Sequence, residues 1–145
     1  MPRVEDFLTA KEEREIVAAI REAEKDTSGE IRVHLEAHTT KNYLERAKEI
    51  FYRLKMDNTK QANGVLIYIA VQDRNFAIYG DQSIHQVVPE GFWHSTRDTI
   101  QAAFKQGDFK QGIINGIRQA GKELKTHFPY QRGDVNELSD EISKG

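Results

Sequence analysis

Five residues of this chain could together hold a hard divalent cation: Glu30, Asp57, Asn63, Gly64 and Asp81. Asn63-Gly64 opens an apolar run, Val65 to Val71, which reads as a strand covered on both faces. Gln72-Asp73-Arg74-Asn75 is turn chemistry, and the returning run Phe76 to Tyr79 ends at Gly80-Asp81. An antiparallel return brings Asp81 back beside Asn63-Gly64. The loop residues Asp57 and Asn58 lie just ahead of that pair. If the earlier strand beginning at Glu30 pairs in parallel with the apolar run, Glu30 arrives at the same sheet end. Carboxylate, amide and backbone carbonyl oxygens suit Ca²⁺ or Mg²⁺. The segment is not an EF-hand, because Asp57 to Gly64 lacks the alternating ligands and the closing glutamate. The alternative is that Asn63-Gly64 only shapes the loop and Asp81 only caps the turn at Ser83.

Other chemistries find less support. His34, His38, His85, His94 and His127 are scattered, and there is no cysteine to complete a zinc site. His34 alternates with Arg32 and Glu36 and is expected on a solvated strand face. No Gly-x-Ser-x-Gly turn is present. The late glycines, Gly107, Gly112, Gly116 and Gly121, fall in or beside helical pattern, not in a phosphate cradle. Phe92-Trp93 reads as a hydrophobic anchor at a helix start rather than a binding platform. Arg74 is expected to be structural or solvated.

The elements that must position these residues are legible. Thr9 and Glu12 form a capping-box pair. Ile16, Val17, Ile20 and Ala23 follow at helical spacing, with Glu12, Glu13, Arg14, Arg21 and Glu24 facing water. Asp26 to Gly29 ends that helix. Glu30 to Glu36 alternates strictly, as a strand with one buried face does. Thr40 or Asn42 caps the next helix, which carries Leu44, Ala47, Ile50, Phe51 and Leu54 on one side. The order helix, strand, helix, strand implies a right-handed crossover between parallel neighbours. After the hairpin, Ser83 and Gln86 suggest a capping box for a short turn, ended by Pro89. A helix from Phe92 stops at Gln106-Gly107. Asp108 and Gln111 are expected to cap the last helix, whose small residues favour close packing. The expected fold is α/β, an α/β/α sandwich on a small mixed sheet of three to four strands with helices on both faces.

Length and composition fit one domain. The chain has 145 residues, of which residues 1–128 carry the fold pattern and 129–145 read as a polar, acidic, disordered tail. Arg132-Gly133-Asp134 falls in that tail without supporting secretion signals. Net charge is −2, so nothing points to nucleic acid. No apolar run approaches the roughly 20 residues that span a bilayer. Direct membrane insertion is not expected, and a cytoplasmic monomer is.

The segments Ser28-Gly29-Glu30-Ile31-Arg32-Val33, Asn63-Gly64-Val65-Leu66-Ile67, Asp73-Arg74, Phe76-Ala77-Ile78 and Gly80-Asp81 resemble, in order, the TPM domain family. Phe92-Trp93, Phe104 to Phe109 and Gly112 to Ile117 match as well. The family includes a thylakoid lumen phosphatase-like protein, a photosystem II repair protein, a nematode receptor modulator and many bacterial proteins. The resemblance implies an α/β/α sandwich, divalent-cation binding near the Asn-Gly turn and acid phosphatase activity in a plant relative. It carries over to Asn63, Gly64 and Asp81. Where many members place Asp ahead of Asn-Gly, this chain has Ala62, which removes one candidate carboxylate. The short form resembles soluble bacterial members that accompany membrane-linked relatives, implying a membrane-associated protein partner. Three functions follow as expectations. The first is weak Ca²⁺ or Mg²⁺ binding. The second is a metal-assisted phosphatase with Glu30 or Asp81 as base, ranked lower because no nucleophile or arginine cluster is evident. The third is a non-catalytic interaction module.

Overall fold

The computed structural model describes residues 4–87, 92–130 and 138–145. Helix α1 spans Ala10–Glu24 and begins at Thr9, whose side chain accepts from Glu12 N while the Glu12 carboxylate accepts from Thr9 N. Strand β1 covers Glu30–Glu36 and helix α2 covers Tyr43–Arg53. Asn42 caps α2 by accepting from Leu44 N and Glu45 N. Strands β2, Gly64–Ala70, and β3, Asn75–Gly80, form the hairpin. Arg74 takes a φ of 52° in its turn. Helices α3, Gln82–Val87, α4, Phe92–Lys105, and α5, Phe109–His127, follow.

The sheet order is β3-β2-β1-β4, with β1 parallel to β2 and β3 antiparallel to β2. Alternation along β2 explains the layers. Val65, Ile67 and Ile69 join Ile16, Ile20, Ile100, Ile113 and Ile117 in one core under α1, α4 and α5. Leu66, Tyr68 and Ala70 join Ala47, Ile50, Phe51 and Met56 in a second core under α2. Gly112, Gly116 and Gly121 let α5 lie close: added Cβ atoms would meet Phe104, Ile100 and Ala23 at 2.9, 2.6 and 2.8 Å. Trp93 packs on the larger core, as a hydrophobic anchor does. The side chain of Phe92, Pro89, and Arg132 to Asp134 lie outside the described residues.

Four expectations need correction. Strand β4, Ser143–Lys144, pairs in parallel with β1, so residues 138–145 are not a disordered tail. Ile142 and Leu138, too sparse to show periodicity, supply the apolar contacts that hold them. The second face of β1 is not solvated: Glu30 and His34 are buried there, and Arg32 and Glu36 are half-buried. Asp108 stands at the start of α5 without a side-chain cap bond, and Gln111 donates to Asn115 instead. Asp81 rather than Ser83 caps the α3 turn: Asp81 Oδ1 accepts from Gln82 N at 2.8 Å.

Candidate functional site

Sheet register brings Glu30 beside Gly64, and the Asp81 N–H donates to the Gly64 carbonyl at 2.9 Å. Glu30, Gly64 and Asp81 thus form one row across three chain segments. Glu30 is 2% exposed, Asn63 1% and Asp81 4%. Asn63 precedes the row; its amide donates to Ser28 Oγ at 3.3 Å and its carbonyl accepts from Glu30 N at 3.4 Å. A side chain at position 64 would come within 3.1 Å of the Met56 carbonyl, so the loop oxygen of Met56 approaches the row because residue 64 is glycine. Asp81 uses Oδ1 as the α3 cap, and its Oδ2 is buried with no hydrogen-bond partner. Buried carboxylate oxygens without donors are costly. The Asp81 charge also reaches Tyr79. Burial pushes that phenol up to about 12, helped by the Tyr52 hydroxyl and by Asp81.

Of the five residues expected here, Glu30, Asn63, Gly64 and Asp81 come together, whereas Asp57 is exposed on the loop. Among the described residues no group of three or more His, Asp or Glu side chains gathers in a metal-holding arrangement. The carbonyl of Met56 was not visible in the sequence, since backbone oxygens carry no residue signature.

A second polar cluster lies along the same face of β1. His34 is 4% exposed, contrary to the solvated face expected for it. Its Nδ1 lies 2.9 Å from Ser143 Oγ, and its ring stacks with Tyr68 at 6.1 Å between centroids. Burial takes the His34 imidazole down to about 4, with Glu36 opposing and Arg46, Arg32 and Arg53 adding to the shift. Arg46 clamps Glu36 through Nε and Nη2, and the Tyr68 hydroxyl donates to the same carboxylate. Burial pushes Glu36 up, but these bonds outweigh it and hold it below the usual carboxylate range. His34 Nδ1 and the Glu36 carboxylate thus have polar partners, while His34 Nε2 is buried without a hydrogen-bond partner.

Glu24, expected to face water, is half-buried. It accepts from Ile31 N at 2.8 Å. Burial, the bond to Asp140 and the nearby Glu30 raise its carboxyl to about 11.

The TPM domain family model matches residues 3–123. The chain belongs to the TPM domain family. The BA42 protein of the psychrophilic bacterium Bizionia argentinensis, solved by NMR, is 56% identical, with full coverage of both chains and a TM-score of 0.92. The N-terminal domain of cg2496 from Corynebacterium glutamicum is 11% identical with a TM-score of 0.66, over 91% of this chain and 82% of that one. An N-terminal domain from P. gingivalis is 17% identical with a TM-score of 0.69, over 87% and 83%. The last two share the fold. No curated protein matches this TPM domain. Among its described residues, no helix is long and apolar enough to cross a membrane.

Proposed function

We propose that this TPM domain binds a divalent cation, Ca²⁺ or Mg²⁺, at the Asn63/Asp81 end of the sheet. The carrying observation is Asp81 Oδ2, buried and without a hydrogen-bond partner, in the same row as a second buried carboxylate, Glu30. A cation offsets the charge that two buried carboxylates at one sheet end would otherwise place in low dielectric. Glu30 and Asp81 supply that charge and the Met56 carbonyl a neutral oxygen. Asn63 and Gly64 build the turn that lets the loop approach. Asp57, being exposed, is not needed for this reading. Oxygen-only donors favour Ca²⁺ or Mg²⁺ over softer ions. Two protein carboxylates leave the remaining positions to carbonyl and water, which fits weak binding.

The phosphatase reading requires the same ion to polarise a phosphoryl oxygen and stands or falls after it. Recruitment of a membrane-associated partner requires no ion.

Thermal unfolding tests the proposal. Millimolar Ca²⁺ raises Tm through preferential binding to the folded state. In Asp81→Asn, which keeps the cap oxygen and removes the charge, the rise disappears. An equal rise in both proteins would place the ion elsewhere.

A further inference from the structure

The outer edge of β1 is filled by the chain's own last residues. Ser143 and Lys144 pair with His34 and Leu35, and Gly145 N donates to the Leu35 carbonyl at 2.9 Å. Polar side chains fix the register. Ser143 Oγ lies 2.9 Å from His34 Nδ1, Lys144 Nζ lies 2.6 Å from Glu13, and Arg21 lies 3.6 Å from Asp140. Asp140 also bonds Glu24, which in turn accepts from Ile31 N on the same edge. Ile142 packs on the larger core and Leu138 on the smaller one.

This is a specific seat held by a short ladder. Two paired residues are far fewer than a strand normally uses. Without the segment, the backbone groups of β1 that face it lose their partners, and an unpaired edge is a template for another strand. Apart from the bond between Ile31 N and Glu24, each contact above is made by side chains or backbone of residues 138–145, so an identical segment can make them in trans.

We propose that the outer edge of β1 is a peptide-binding site, and that residues 138–145 of a second copy of the chain can fill it in place of the chain's own. Recognition follows strand addition, with backbone bonds for affinity and alternate side chains for specificity. The selected pattern is an acid at 140, an apolar residue at 142, a hydroxyl at 143 and a cation at 144.

The experiment uses the full-length chain carrying Ile142→Asp, which removes the apolar anchor of the chain's own segment. An unlabelled peptide with the sequence of residues 138–145 is titrated into the isotope-labelled variant. The expected result is amide shifts confined to residues 31–36 and their neighbours, and at least about tenfold weaker binding to the wild type, where the chain's own segment competes. If Ile142→Asp does not fold, Ser143→Pro releases the ladder, and with it the Ser143 contact to His34, while leaving the apolar anchor Ile142 in place. Absence of shifts in a folded releasing variant at millimolar peptide overturns the site. Light scattering on the wild type at rising concentration reads the second copy directly: a growing dimer fraction supports it, and a strict monomer overturns that occupant.

Discussion

The Asp81 N–H donates to the Gly64 carbonyl at 2.9 Å, which fixes a carboxylate at the end of β3 beside the start of β2. One of its oxygens caps α3 and the other has no donor. Asp81→Asn keeps the shape and the cap while removing the charge. In the absence of added ion, it is expected to be as stable as the wild type or up to about 1 kcal/mol more stable. Chemical denaturation with the ions chelated reads this, and a loss of several kcal/mol would show that Asp81 already has a structural counter-charge.

Ala62 occupies the left-handed region, with a φ of 50°. A Cβ clashes with the following carbonyl in that conformation, which glycine avoids and asparagine tolerates. Ala62→Gly or Ala62→Asn is expected to stabilise the fold by about 0.5–1 kcal/mol. Ala62→Asp gains part of this and adds a carboxylate to the loop ahead of Asn63, so its Ca²⁺ affinity is expected to exceed the wild type's. Parallel denaturation and calcium titrations check both effects; unchanged affinity would remove position 62 from the site.

Gly64 admits the Met56 carbonyl. A Cβ there would come to 3.1 Å from that oxygen and 3.5 Å from the Phe51 ring. Gly64→Ala is expected to destabilise by about 1–3 kcal/mol, because the loop or α2 must shift. The same shift weakens ion binding. Destabilisation without weaker binding would mean that the Met56 oxygen is not a ligand.

His34 predicts an acid limb in stability. Its folded pKa, about 4, lies below the ordinary 6.5 because burial disfavours the cation. The unfolded chain therefore binds more protons, and stability is present above pH 6.5 and lost as pH falls towards 4. The loss is on the order of 2–3 kcal/mol for a fully buried imidazole. Glu24 acts in the opposite sense, since a raised folded pKa makes its contribution fall as pH rises above 4.5. The His34 limb is isolated by comparing wild type with His34→Gln between pH 4 and 7. Parallel curves would mean that His34 titrates normally.

Much of this arrangement was legible in the sequence because local signals agreed. The Thr9 and Glu12 box, the alternation from Glu30 to Glu36 and the polar turn at Gln72 to Asn75 each set an element that the fold retains. Parallel pairing of β1 with β2 followed from the intervening helix, and it brought Glu30 to Gly64. What stayed hidden depends on distant partners. His34 alternates like a solvated residue, yet Ser143, far along the chain, and Tyr68 bury it. Glu24 sits on the polar side of α1, yet Asp140 and the Ile31 N–H draw it in. Residues 138–145, which carry strand β4, have only Leu138 and Ile142 as apolar residues, too few for a periodicity to show. Asp57 offered a carboxylate in the loop just ahead of Asn63, but the path of that loop leaves it exposed while Asp81 is buried.

The most direct measurement is an amide NMR titration with Ca²⁺ and Mg²⁺ on the wild type and Asp81→Asn. Saturable shifts confined to residues 29–31, 56–64 and 80–83 in the wild type, absent from the variant, are the expected result. No localised shifts at millimolar ion, or identical shifts in both proteins, would contradict cation binding at the Asn63/Asp81 end of the sheet.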